Sequence, residues 1–114
     1  MTQTITLTND GDWVAVKGDH KRNILSFNVL GTFGTASLVG TTSLEIDTNN
    51  NIIRPVTFRD GNGTQVEITQ DTQFGISATT RDRWYIFTVQ NSGGTSIEID
   101  YTGKSVSEVK TNVI

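Results

Sequence analysis

The 114-residue sequence has no cysteine, one histidine, one proline and one methionine, and only 18% of its residues are charged. Without cysteine there is no disulfide framework, no thiolate metal site and no cysteine nucleophile. The lone histidine, His20, excludes a His-rich metal site and a paired-histidine mechanism, and it is the one imidazole a catalytic serine would have as its base. No apolar run approaches the length of a bilayer-spanning helix. The opening residues, MTQTITLTND, lack the basic start and apolar stretch of a signal peptide. Twelve acidic against nine basic side chains give a formal net charge of −3 with no run of five like charges, which leaves no footprint for phosphate backbones or anionic lipid. The expectations are one domain, no nucleic acid or membrane partner, no cofactor or metal, no enzymatic activity, and a life in a cytoplasm or in a particle assembled there.

What is abundant points to sheet. The chain carries nineteen threonines, nine asparagines and eleven glycines beside many valines and isoleucines. Branched side chains suit a pleated surface, while Asn, Asp and Gly supply the positive backbone angles of tight turns. Alternation with period two predicts strands at Thr4–Thr8, at Trp13–Lys17 with Trp13 and Ala15 opposed to Val14 and Val16, and at Asn23–Leu30. Further alternating runs fall at Thr35–Val39, at Leu44 and Ile46, at Val66 and Ile68, at Phe74, Ile76 and Ala78, and at Thr95–Thr102. Asn9–Asp12, Gly18–Arg22, Thr48–Asn51 and Asn91–Gly94 read as turns, and Asp60-Gly61-Asn62-Gly63 is the strongest hairpin signal. Pro55 cannot donate to a ladder, so the segment Ile52–Phe58 is expected at an edge, or paired only beyond residue 55.

The run Trp84–Val89 stands apart, because Trp84 and Ile86 occupy one face while Tyr85, Phe87 and Val89 occupy the other. A strand apolar on both faces is buried on both. In a two-sheet domain its second face then needs a cover: a loop, a chain end or another molecule. The fold predicted is all-β, a single antiparallel β-sandwich or jelly-roll-like domain with extended termini. Residues 1–10 read as an N-terminal arm or first strand, 11–103 as the sandwich and 104–114 as an extended C-terminal tail.

Few residues stand out as chemistry. The Asp- and Asn-rich turns at 10–12, 47–51 and 60–62 offer oxygen atoms but not EF-hand spacing, and turn formation explains them. Glu45 with Asp47, and Glu98 with Asp100, share a strand face as polar residues on a wet sheet do. The aromatic and arginine residues are the stronger candidates. Arg83, Trp84, Tyr85 and Trp13 are the candidate interface residues, with core, subunit contact and sugar-stacking platform as the readings open to the rings.

The segment Val29-Leu30-Gly31-Thr32-Phe33-Gly34-Thr35-Ala36-Ser37-Leu38, together with Ser43–Val56 and the stretch RWYIFTVQNSGGTSIEIDY at 83–101, resembles small β-sandwich virion structural proteins of tailed bacteriophages. The likeness covers residues 24–102 and departs from the pattern at Asn49-Asn50-Asn51, where an Asp-Gly pair is usual. It implies a capsid decoration (cement) protein that binds and stabilises the assembled shell, or a tail or head-fibre subunit. A carbohydrate-binding module is the alternative of another class. The partners implied are the major capsid protein or another virion protein and further copies of this chain as a trimer or dimer, with residues 1–10 and 104–114 as arms that order on binding.

Overall fold

The computed structural model describes residues 2–18, 24–77, 83–102 and 106–113. The predicted turn containing His20, the residues Arg81 and Asp82, and Ala78 lie outside them. The described residues form twelve strands and no helix. They are β1 (Thr2–Leu7), β2 (Trp13–Gly18), β3 (Ile24–Thr32), β4 (Ser37–Ser43), β5 (Glu45–Ile46), β6 (Ile52–Ile53), β7 (Val56–Thr57), β8 (Glu67–Ile68), β9 (Thr72–Ser77), β10 (Trp84–Gln90), β11 (Ser96–Thr102) and β12 (Val106–Asn112).

One sheet has the order β1-β11-β3-β9, and the other runs β12-β2-β10-β4-β7 with β8 also on β4. Every pairing is antiparallel. Apart from the excursions between β4 and β8, each strand is followed in sequence by one in the opposite sheet. That alternation, with β1 beside β11 and β2 beside β10, is the jelly-roll order. The two topologies the sequence left open are thereby separated.

Residues 2–7 form a first strand, and 106–112, expected as an extended tail, form a strand that joins the second sheet. β1 pairs with β11 from Thr2↔Thr102 to Leu7↔Ile97, and β12 extends the second sheet along β2 with a register shift between Val106 and Glu108. Pro55 behaves as its missing donor requires. The segment breaks there, and β7 begins pairing with β4 at Val56.

Alternation places the core as expected. Leu7, Phe27, Val29, Ile97 and Ile99 from the first sheet meet Val14, Val16, Leu38, Ile68, Tyr85, Phe87 and Val89 from the second, all buried. Phe27 and Phe87 touch edge to face across the gap, with centroids 5.6 Å apart and planes at 65°. The β1–β2 crossover is fastened by Asp12, a fully buried carboxylate whose Oδ2 accepts the amides of Thr8 (3.0 Å) and Asn9 (2.9 Å). At the same end the 31–36 and 91–95 turns interlock. Thr95 Oγ1 donates to the Phe33 carbonyl at 2.8 Å, and Thr35 Oγ1 to the Asn91 carbonyl at 2.7 Å. Gly34 is required here, since its φ is +60° and a Cβ would run into the Gly93 carbonyl.

Candidate functional site

The second apolar face of β10 is covered by the chain itself. Between β4 and β7 the backbone leaves the sheet as the short β5–β6 hairpin, paired Glu45↔Ile53 and Ile46↔Ile52, which folds back over the sheet's outer face. Ile46 is buried there with Trp13, Ala15, Trp84 and Ile86, and Ile52 packs at the margin. This second, smaller core is why a strand can be apolar on both sides in a two-sheet domain.

The hairpin is pinned at its base and at its tip. At the base, the buried Ser43 Oγ sits between the carbonyls of Glu45 (2.8 Å) and Ile53 (2.5 Å) and accepts the Glu45 amide at 3.1 Å. At the tip, Asp47 Oδ1 accepts the amides of Asn49 (2.9 Å) and Asn51 (2.8 Å), and Asn50 takes a φ of 62°. These bonds, the Asn51 amide first among them, hold the Asp47 carboxyl below its ordinary pKa. The tip then reaches β12, where Lys110 Nζ donates to the Asp47 carbonyl (3.3 Å) and Asn50 Nδ2 to the Thr111 carbonyl (3.4 Å). The hairpin is thus a strap lying across the sheet from β4 to β12.

This strap decides where the sequence-predicted residues sit. Trp13 (5% exposed) and Trp84 (3%) lie beneath it, and Tyr85 (5%) points into the inter-sheet core. Lys17 Nζ, from the strand beside β10, stands 5.5 Å from the centroid of the Trp84 ring. Tyr85 meets Phe58 edge to face at 5.4 Å, and burial raises its phenol pKa against a smaller opposing effect of the Arg83 charge. All three rings are therefore buried against residues of their own chain, and none presents an open face to a partner or to a sugar. Arg83 is the exception, half-buried, with its Nη1 donating to Thr42 Oγ1 at 2.9 Å.

Arg83 joins residues that periodicity did not single out. A surface pocket of about 470 Å³ is lined by Arg83, Ser43, Leu44, Glu45, Ile53, Arg54 and Val56. Leu44 was expected to share a face with Ile46, but the chain bends at 44 as it leaves β4, so Ile46 is buried and Leu44 is 63% exposed. Val56, in the same pocket, is 59% exposed. Arg54, between them, holds a left-handed φ of 47° immediately before Pro55, a strained conformation for a residue with a Cβ. Leu44 and Val56 are thus two large apolar side chains exposed side by side at one pocket.

Other acidic turns are occupied by their own backbone. Asp60 Oδ1 accepts the amides of Asn62 (2.8 Å) and Thr64 (3.1 Å) in the predicted hairpin, and Asp10 Oδ1 accepts that of Ser92 (2.6 Å). Among the described residues no group of three His, Cys, Asp or Glu is placed to hold a metal ion. A second hollow, about 660 Å³, opens between the 58–66 hairpin and β9 and is floored by Phe58, Val66 and Ile68. Set against known protein families, curated proteins and solved structures, the chain matches none.

Proposed function

We propose that the protein is a structural, non-catalytic subunit of a tailed-phage virion, a capsid decoration protein that binds the assembled shell and stabilises it. The observation that carries this reading is the patch at the root of the strap. Leu44 and Val56 stand out of the surface beside two arginines, on a domain that buries both of its tryptophans. Exposed aliphatic side chains ringed by arginine make the composition of a protein contact. The jelly-roll order supports the reading at the level of fold class, being shared by viral capsid domains, though lectin domains use it too. Repetition on a lattice lets a modest contact suffice, because each copy adds binding energy to the assembled shell and none to the loosened one.

The test is co-sedimentation with empty shells assembled from the major capsid protein of the phage that encodes this chain. Wild-type protein is expected to pellet with shells and to raise their thermal disruption temperature. The Leu44→Asp/Val56→Asp double variant is expected to stay in the supernatant while keeping its own melting temperature. Wild-type protein that remains in the supernatant at saturating concentration overturns the proposal. Recovery from virions exclusively in the tail fraction overturns the capsid location.

A further inference from the structure

The two sheets treat their edges differently. In the β12-β2-β10-β4-β7 sheet both edges are guarded. β12 carries Glu108 and Lys110, has a register shift at its start, and has the Thr111 carbonyl taken by Asn50. On the other side β7 and β8 are two residues each, separated by the 58–66 hairpin, which bonds to Gly40 of β4 and covers the edge between them. Short strands, charges and irregular register are the ordinary means by which a sheet avoids pairing with another chain.

The β1 edge has none of these. β1 is six residues, TQTITL, without charge or proline, in unbroken register with β11, and among the described residues no strand pairs with its outer side. The missing charge is notable because the neighbouring strand would favour one. Thr4 lies opposite Asp100 and Thr6 opposite Glu98, so a lysine at either position would gain a cross-strand partner and guard the edge together. Instead Thr4 Oγ1 donates to Asp100 Oδ1 at 2.6 Å, holding the acidic group back along β11.

We propose that β1 pairs antiparallel with β1 of a second copy of this chain, joining two four-stranded sheets into one across a twofold axis. The strand is complementary to itself in that arrangement. With Thr6 opposite Thr6, Ile5 falls opposite Leu7, so threonines meet on the outer face, where Thr4 and Thr6 are exposed, and apolar residues meet on the face that holds the buried Leu7. Slipping by one residue would set threonine against the core face, which fixes the register to alternate positions. A twofold contact uses the same edge on both copies and closes on itself at that edge. The proposal is independent of the shell-binding patch, which lies on the other sheet.

Light scattering on size-exclusion fractions across a rising concentration series tests it. Wild type is expected to approach twice the 12.5 kDa chain mass, and Thr6→Lys, whose lysine faces Glu98 within its own chain, to stay at the single-chain mass with an unchanged far-ultraviolet spectrum. Thr4→Lys, opposite Asp100, serves if the first variant does not fold. Because the chain has no cysteine, Thr6→Cys can bridge only to its own copy. Directly opposed residues lie within reach of a disulfide, so it should form a reducible covalent dimer under mild oxidation faster than Thr69→Cys, an exposed control. A wild type that is monomeric throughout overturns the proposal. So does a dimer that survives both lysine variants, with the two cysteine variants linking at equal rates.

Discussion

Phe58 stands edge-on to Tyr85, ring planes at 62°, and its Cδ2 lies where a side chain at position 40 would have to go. A Cβ on Gly40 would meet that carbon and the Val66 Cβ at 3.2 Å each. The glycine is therefore what lets the 58–66 hairpin lie down on β4, where the Gly40 amide donates to the Val66 carbonyl (2.8 Å) and the Phe58 amide to the Gly40 carbonyl (3.2 Å). Gly40→Val is expected to lift the hairpin and lower stability by about 1–3 kcal/mol, as overpacking does. Denaturant unfolding followed by tryptophan fluorescence measures this, and a variant as stable as wild type would show that the hairpin shifts at no cost.

Trp84 and Leu44 should separate core from surface. Trp84→Ala removes a ring buried between sheet and strap and is expected to cost about 3–5 kcal/mol. Leu44→Asp alters an exposed side chain and should change stability by no more than about 0.5 kcal/mol. Thermal melts of the two variants decide it. A Trp84→Ala protein that melts like wild type would mean the strap does not cover the ring in solution.

Ser43 is a single hydroxyl holding the base of the strap. Ser43→Ala leaves the Glu45 amide without its acceptor at a part-buried site, a loss of about 1 kcal/mol. Hydrogen exchange should show faster exchange in residues 45–53 than in β10. Uniform protection in the variant would argue against the pin.

Tyr85 makes stability depend on alkaline pH. Its folded-state pKa lies above the ordinary 10.0, so the unfolded chain ionises first. The stabilisation is complete below about pH 10 and falls as pH rises from there toward the folded value. Tyr85→Phe keeps the ring and removes the titration. The stability difference between wild type and variant should therefore shift in the variant's favour above pH 10, and parallel curves across that range would exclude Tyr85 as the source.

Much of this architecture is written in local pattern. Period-two alternation located β1, β2, β3, β10 and β11, because a strand's faces alternate whatever lies around it. The Asp60–Gly63 turn and the break at Pro55 follow from backbone chemistry that operates within a few residues. Trp84–Val89 could even be read as covered on both faces. What covers it could not, since a loop, a chain end or a second molecule would satisfy the same burial.

The candidate site was legible only in part. Arg83 is legible from its aromatic neighbours in sequence, but Leu44 and Val56 are not, because Leu44 alternates with Ile46 like any core residue and only the bend at the strap's root turns it outward. Trp13, Trp84 and Tyr85 have the composition of an interface, and composition does not distinguish a contact between molecules from a contact within one.

The sequence by itself determined an all-β, cysteine-free domain, its main strands, its turns and the two-sided burial of β10, all consequences of short-range sterics and alternation. Only the tertiary structure decided the jelly-roll order, the folding of residues 45–53 back over the tryptophans, and the gathering of Leu44, Arg54, Val56 and Arg83 at one surface. Those depend on which strands pair across long stretches of chain, and many pairings satisfy the same alternation until the whole core has to close.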